Sequence, residues 1–90
     1  MDEGWIEGQF VVGRELGMHA RPSGEFVTLA AGFAAEIEVG CAGEWVSGRS
    51  VLSILSLAAT QGTRLSVRCR GEDAPEALRA LGAVLEAESD

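Results

Sequence analysis

Three stretches of the chain alternate between apolar and more polar residues, with the period of two that is typical of β-strands. Their apolar positions are Ile6, Gly8, Phe10 and Val12, then Ala35, Ile37, Val39 and Cys41, and finally Leu65, Val67 and Cys69. An Ala42-Gly43 turn after the second stretch leads into a short strand through Trp45, Val46 and Ser47. The pattern therefore predicts four strands with one buried face and one face in water.

Apolar residues at helical spacing predict two longer helices. The first has Phe26, Leu29, Ala30 and Phe33 at this spacing, and Gly32 ends it. Before the second, Asp73 and Glu76 form a capping-box-like pair around Pro75. The inward stripe of this last helix consists of Leu78, Leu81, Gly82 and Leu85.

The apolar stretch 51–59 fits either a strand or a helix. We favour a short helix, because Ser50 is placed to cap its N-terminus and Ile54, Leu57 and Ala58 can share one face. Gly62 then ends the segment.

The resulting order, βαββαβα, predicts an α+β fold in a single domain covering residues 1–90. Such an order implies a mainly antiparallel four-stranded sheet with three helices on one face and the other face open to water. On that open face, Glu36 and Glu38 are expected to meet Arg64, Arg68 or Arg70 if their strands are neighbours.

Composition narrows the class of protein. At 90 residues and 47% apolar content, the chain can bury a core without metal or disulfides. Cys41 and Cys69 are expected to be reduced core thiols, since two distant cysteines and one histidine make neither a disulfide framework nor a metal site. No cofactor is implied.

The net charge of −7 argues against nucleic acid or anionic lipid as a partner. No apolar run is long enough for a membrane span, and the acidic start at residues 1–4 lacks the basic region of a signal peptide. We therefore expect a cytoplasmic protein without membrane insertion.

The segment 17–23, Gly-Met-His-Ala-Arg-Pro-Ser, contains the only histidine of the chain, His19. A lone histidine is most often a residue without a specific role, but these neighbours are unusual. Gly17 permits a tight turn, Pro22 fits a first helical turn, and Arg21 adds a fixed positive charge. Unpaired N–H groups at the start of a helix favour a bound anion, so the segment predicts a phosphate site at His19, with the backbone of Ala20 and Arg21 as donors.

A neutral imidazole at this place can accept a phosphoryl group and pass it on. The positive end of the helix and Arg21 disfavour the imidazolium form and stabilise the phosphate once it is bound. Phosphoryl transfer depends mainly on positioning and electrostatics, which a partner protein can supply in part.

Together with further landmarks, this segment resembles the HPr family of phosphocarriers of the phosphoenolpyruvate-dependent sugar phosphotransferase system. These landmarks are Ala31-Gly32-Phe33, the run of ten residues from Gly48, Gln61-Gly62-Thr63 and Gly71-Glu72-Asp73. The resemblance implies an open-faced β-sandwich and a monomeric carrier rather than a free-standing enzyme. It also implies that His19 accepts phosphate from phosphorylated enzyme I, through Nδ1 as in the family, and passes it to an enzyme IIA component.

The resemblance further implies a docking surface beside His19, formed by Arg49, Val51, Leu52 and Leu55; for Leu55 a place in the core is an open alternative. Ser50 has two compatible roles, as helix cap and as a regulatory phosphorylation site for a serine kinase/phosphorylase. The chain departs from the family by having Thr28, Ala31 and Glu44 where many members carry lysines. Sugar uptake and a regulatory phosphorelay, nitrogen-type or other, both remain open.

Two other classes of function fit the sequence less well. An HPr-like regulatory domain that acts mainly by binding partners need not keep His19, Arg21 and Pro22 together, as this chain does. A small-molecule or RNA-binding sandwich is disfavoured by the acidic charge and by the expected lack of an aromatic stacking platform on the open face.

Overall fold

The structure, a computed structural model, describes residues 4–88, so all but the last residue of the acidic start at residues 1–4 lies outside the described part. Its elements follow the predicted βαββαβα order. They are β1 (Ile6–Val11), α1 (Ala20–Ala30), β2 (Glu36–Cys41), β3 (Glu44–Ser47), α2 (Val51–Ser56), β4 (Arg64–Arg70) and α3 (Ala74–Glu86).

The four strands form one antiparallel sheet in the order β1-β4-β2-β3. Its register places Ile37 opposite Cys69 and Gly8 opposite Val67. The β2–β3 hairpin turns through Ala42 and Gly43, whose φ angles of 53° and 87° are those of a two-residue type I′ turn. The predicted α+β architecture, an open-faced β-sandwich with three helices, is confirmed.

The core lies between the sheet and the helices. The inward residues of β2 and β4 are buried, as their alternation predicts, and they are Ile37, Val39, Leu65, Val67 and Cys69. The helices contribute Phe26, Ile54, Leu81 and Leu85 to the same cluster. Burial of each such side chain stabilises the fold by about 1.5–3 kcal/mol, so this shared face holds the helix layer in place.

The open face of the sheet carries two of the expected ion pairs. Arg68 Nε lies 2.8 Å from Glu38 Oε1, and Arg70 Nε lies 2.8 Å from Glu36 Oε1. The hydrogen bond from Arg70 lowers the pKa of Glu36 below its ordinary value. Arg64 instead bonds to Gln9 Oε1 on β1 at 3.4 Å.

The same face is also more aromatic than the sequence suggested. The Arg68 guanidinium lies between two indole rings, 4.1 Å from the centroid of Trp45 and 4.6 Å from that of Trp5. The Arg70 guanidinium also lies over the Trp5 ring, 4.3 Å from its centroid. The rings stack on the chain's own arginines, so their presence does not by itself provide the base-stacking platform whose absence was expected.

Several local predictions are corrected. Leu29 is 36% exposed rather than inward, because α1 buries only the stripe of Pro22, Ser23, Phe26 and Ala30. Ala58 does not extend the inward face of α2, since the helix ends at Ser56 and Ala58 adopts a left-handed φ of 54°. Cys69 is buried, but Cys41 is only half-buried near the hairpin.

The predicted capping box at the start of α3 is not formed. Asp73 is the N-cap residue but makes no side-chain bond to its own helix. Its carboxylate instead accepts hydrogen bonds from the backbone N–H groups of Ala34 and Ala35, at 2.8 and 2.9 Å. Asp73 thus fastens the corner between α1 and β2.

Candidate functional site

His19 is the N-cap residue of α1, with extended backbone angles of φ −76° and ψ −170°. The first hydrogen bond of the helix runs from the Ser23 N–H to the His19 carbonyl, at 3.1 Å. The N–H groups of Ala20 and Arg21 therefore have no acceptor within the helix, and Pro22 has no N–H to satisfy. The half-buried His19 stands where the positive end of the helix faces outward.

The loop before His19 is fixed by backbone contacts. The Gly17 N–H bonds to the Arg14 carbonyl and the Met18 N–H to the Ala59 carbonyl, each at 2.9 Å. Gly17 has a φ of 72°, and a Cβ at this position would lie 2.5 Å from the Ala59 oxygen. Only glycine fits this approach without strain, which explains the turn predicted before His19.

A buried hydrogen bond fixes the residues that follow the turn. Met18 is 3% exposed, and its carbonyl accepts a hydrogen bond from the buried Ser23 hydroxyl at 3.0 Å. This bond links the loop to the first turn of α1. The position of His19 is thereby set from both the loop and the helix.

Arg14 is a further part of this region that sequence reasoning missed. Its side chain is buried, with Nε donating to the Val84 carbonyl at 3.0 Å and Nη2 pairing with Glu25 Oε1 at 2.9 Å. Arg14 thus joins the loop before His19 to α1 and to the last turn of α3. No periodicity marks an arginine in a loop, so no local signal could have identified it.

Arg21 is exposed at the second position of α1, two residues from His19. Among residues 4–88, no ion pair or hydrogen bond engages its guanidinium. The predicted phosphate-binding group therefore remains available to an anion at the helix start.

The residues predicted to dock partners lie on or next to α2. Leu52 is 78% exposed, whereas Val51 and Leu55 are half-buried. Ser50 caps α2, as predicted, since its hydroxyl accepts the Ser53 N–H at 3.2 Å. Leu16, which was not predicted, is 69% exposed in the loop before His19.

Arg49 has a structural engagement in addition to its predicted docking role. Its guanidinium donates to the carbonyls of Ala30, Phe33 and Ala35, at 3.0, 2.8 and 2.7 Å. These carbonyls lie at and just beyond the end of α1, where backbone oxygens lack helical donors. Arg49 and Asp73 therefore stabilise the same corner between α1 and β2. Arg49 donates to backbone carbonyls of the corner, and Asp73 accepts from its backbone N–H groups.

Two absences apply to residues 4–88. No cluster of three or more His, Cys, Asp or Glu side chains in this range could hold a metal ion. None of the helices within it has the length and apolarity needed to cross a membrane.

Comparison with known proteins adds a family assignment over nearly the whole chain. Residues 6–87 match the family described as PTS HPr component phosphorylation site. The phosphocarrier protein HPr of Xylella fastidiosa is 33% identical over 81 residues, covering 90% of this chain and 91% of that protein. The multiphosphoryl transfer protein of Haemophilus influenzae is 39% identical over 83 residues, but this chain spans only 17% of its length.

Among solved structures, the phosphocarrier protein HPr of Bacillus anthracis superposes with a TM-score of 0.86 at 34% identity. The match covers 90% of this chain and 96% of that one. The similarity therefore extends over the sheet, the helices and the segment around His19.

Proposed function

Because this chain belongs to the HPr family of the phosphotransferase system, and so is a phosphocarrier of that system, we propose that His19 is the residue that carries the phosphoryl group. The observation that supports this most directly is the place of His19 at the N-cap of α1. There the imidazole, the amides of Ala20 and Arg21, and the Arg21 guanidinium belong to one short segment.

The chemistry assigned to these groups is simple. A ring nitrogen of neutral His19, Nδ1 by resemblance to the family, attacks the phosphorus of the donor, and its bond to phosphorus forms as the donor's bond breaks. The amides of Ala20 and Arg21 and the charge of Arg21 offset the negative charge on the phosphoryl oxygens. The same steps in reverse order deliver the phosphoryl group to the acceptor.

Family membership implies that the partners are components of the phosphotransferase system. We assign phosphorylated enzyme I as donor and an enzyme IIA component as acceptor, with the chain acting as a monomer in the cytoplasm. Ser50 is assigned a second, regulatory role, in which a serine kinase adds charge beside the docking residues and hinders transfer.

The test is incubation with phosphoenolpyruvate and enzyme I of the same organism. We expect one acid-labile, base-stable phosphate per chain, absent in His19→Ala and retained in Ser50→Ala, which keeps the histidine. Circular dichroism checks that both variants are folded. Label that persists in folded His19→Ala would refute the assignment.

Arg21→Glu extends the same assay to the charge beside His19. We expect transfer to slow by about 10- to 100-fold because a donor to the developing charge is replaced by a like charge. Arg79→Glu is the matched control, since Arg79 is exposed in the middle of α3. Equal rates for the two variants would remove Arg21 from the transfer step.

A further inference from the structure

We infer that the partner surface that receives His19 is apolar at its centre and basic at its rim. The inference rests on the proposed function, because the surface in question surrounds His19. Three features carry it: the exposed apolar residues beside His19, the engagement of five of the seven arginines in other contacts, and the exposed acidic residues near the His19 loop.

The apolar centre consists of three of the predicted docking residues, Val51, Leu52 and Leu55, together with Leu16. Leu16 and Leu52 are 69% and 78% exposed, more than any other large apolar side chain among residues 4–88. The loop that carries Leu16 lies against the segment after α2, where Met18 bonds to Ala59. These apolar residues therefore lie on two neighbouring segments, the His19 loop and α2, which one partner can cover.

All seven basic residues of the chain are arginines, and five of them are engaged in contacts within the fold. Arg14 is buried against Glu25, and Arg49 is bonded to the carbonyls at the end of α1. Arg64, Arg68 and Arg70 belong to β4 and point to the open face of the sheet, and Arg79 is in the middle of α3. Of these seven arginines, only Arg21 is exposed in the helical turn beside His19.

Acidic residues border the same region. Glu15 is exposed next to Leu16, and Glu86 is exposed at the end of α3, where its backbone carbonyl packs against Gly13 of the same loop. The helix α2 has no charged residue. A phosphoryl group on His19 would add further negative charge and engage Arg21. The chain has a net charge of −7, so these acidic residues around His19 attract a basic partner surface and repel an acidic one.

The first experiment measures kcat/KM for transfer from phosphorylated enzyme I of the same organism, at ionic strengths between about 0.05 and 0.5 M. Attraction between opposite charges is screened by salt, so kcat/KM should fall by about tenfold over this range. A value that is constant or rises with salt would overturn the inference.

The second experiment reverses one rim charge. Glu15→Lys should lower kcat/KM at low salt by about 3- to 10-fold and leave the rate at saturation unchanged, because only encounter is affected. The matched control is Glu72→Lys, since Glu72 is exposed just before the start of α3. Gly13 packs at the other end of this helix, and the length of α3 is about 20 Å. A Glu15→Lys variant as fast as Glu72→Lys, or faster than the parent, contradicts a basic partner rim.

The two levels of the proposal fail differently. If folded parent protein takes up no phosphate at any ionic strength, the proposed function is wrong and the inference falls with it. If His19 is fully labelled but the salt and Glu15→Lys effects are absent or inverted, only the charge of the partner surface is wrong.

Discussion

Replacement of Arg49 by methionine separates two roles of this residue, the docking role that the sequence suggested and the structural one seen at the end of α1. Methionine keeps much of the aliphatic stem but removes the three hydrogen bonds to Ala30, Phe33 and Ala35. The N-terminus of the helix that ends at this corner carries His19.

The magnitude follows from the surroundings of each bond. A hydrogen bond to a charged group contributes about 1.5–3 kcal/mol when it is protected from water. Here the bonds to Ala30 and Ala35 are partly buried and the bond to Phe33 is exposed, so water replaces part of what is lost. We therefore expect Arg49→Met to lower the free energy of unfolding by about 2 kcal/mol, or Tm by about 10 °C.

Urea unfolding followed by circular dichroism measures this loss, with Arg79→Met as the matched control on an exposed position of α3. Arg79→Met should stay within about 0.5 kcal/mol of the parent. Arg49→Lys should recover only part of the loss, because a single ammonium cannot reach three carbonyls in the geometry of a guanidinium. If Arg49→Met is as stable as Arg79→Met and only slows transfer from enzyme I, the structural argument is refuted and the docking role stands alone.

Two further predictions concern a glycine and a thiol. Gly17→Ala should lower the free energy of unfolding by about 2–4 kcal/mol and slow phosphorylation, whereas Gly43→Ala should lower it by only about 1 kcal/mol. Both glycines have a positive φ, but only Gly17 lies against the backbone of another segment. Equal losses in urea unfolding would contradict this. Burial, reinforced by the charge of Asp73, raises the pKa of Cys69 to about 11 from 9.0. The unfolded chain therefore loses this proton first, and the contribution to stability is present below pH 9 and lost as the pH rises towards 11. Unfolding measured across this range should show the decline in the parent and a shallower one in Cys69→Ala; parallel curves would exclude Cys69 as its source.

Features that depend on neighbours in sequence were predictable. The strands follow from an alternation that any half-buried sheet imposes, and the Ser50 cap follows from a hydroxyl three residues before the N–H that it accepts. The placement of His19 at a helix start was predictable for the same reason, because Gly17, Pro22 and the helix pattern lie within one short segment.

Features that depend on distant parts of the chain were not. The local sequence around Asp73 is that of a capping box. In the folded chain its carboxylate instead accepts hydrogen bonds from the Ala34 and Ala35 N–H groups, which lie 39 and 38 residues away. The contact between Arg14 and Val84 spans 70 residues, and no local pattern can encode it. The anchoring of the His19 loop and the corner held by Arg49 are therefore properties of the folded chain.

The stack of indoles and guanidinium groups on the open sheet face has a practical consequence for experiments on this carrier. The chain has two tryptophans and no tyrosine, and both indoles flank Arg68 on the side of the sheet away from the helices. Intrinsic fluorescence is consequently a clean optical reporter of whether the sheet is intact. A partner that occupies the helical side leaves this emission undisturbed, so complex formation has to be followed with a dye or an isotope placed near the histidine.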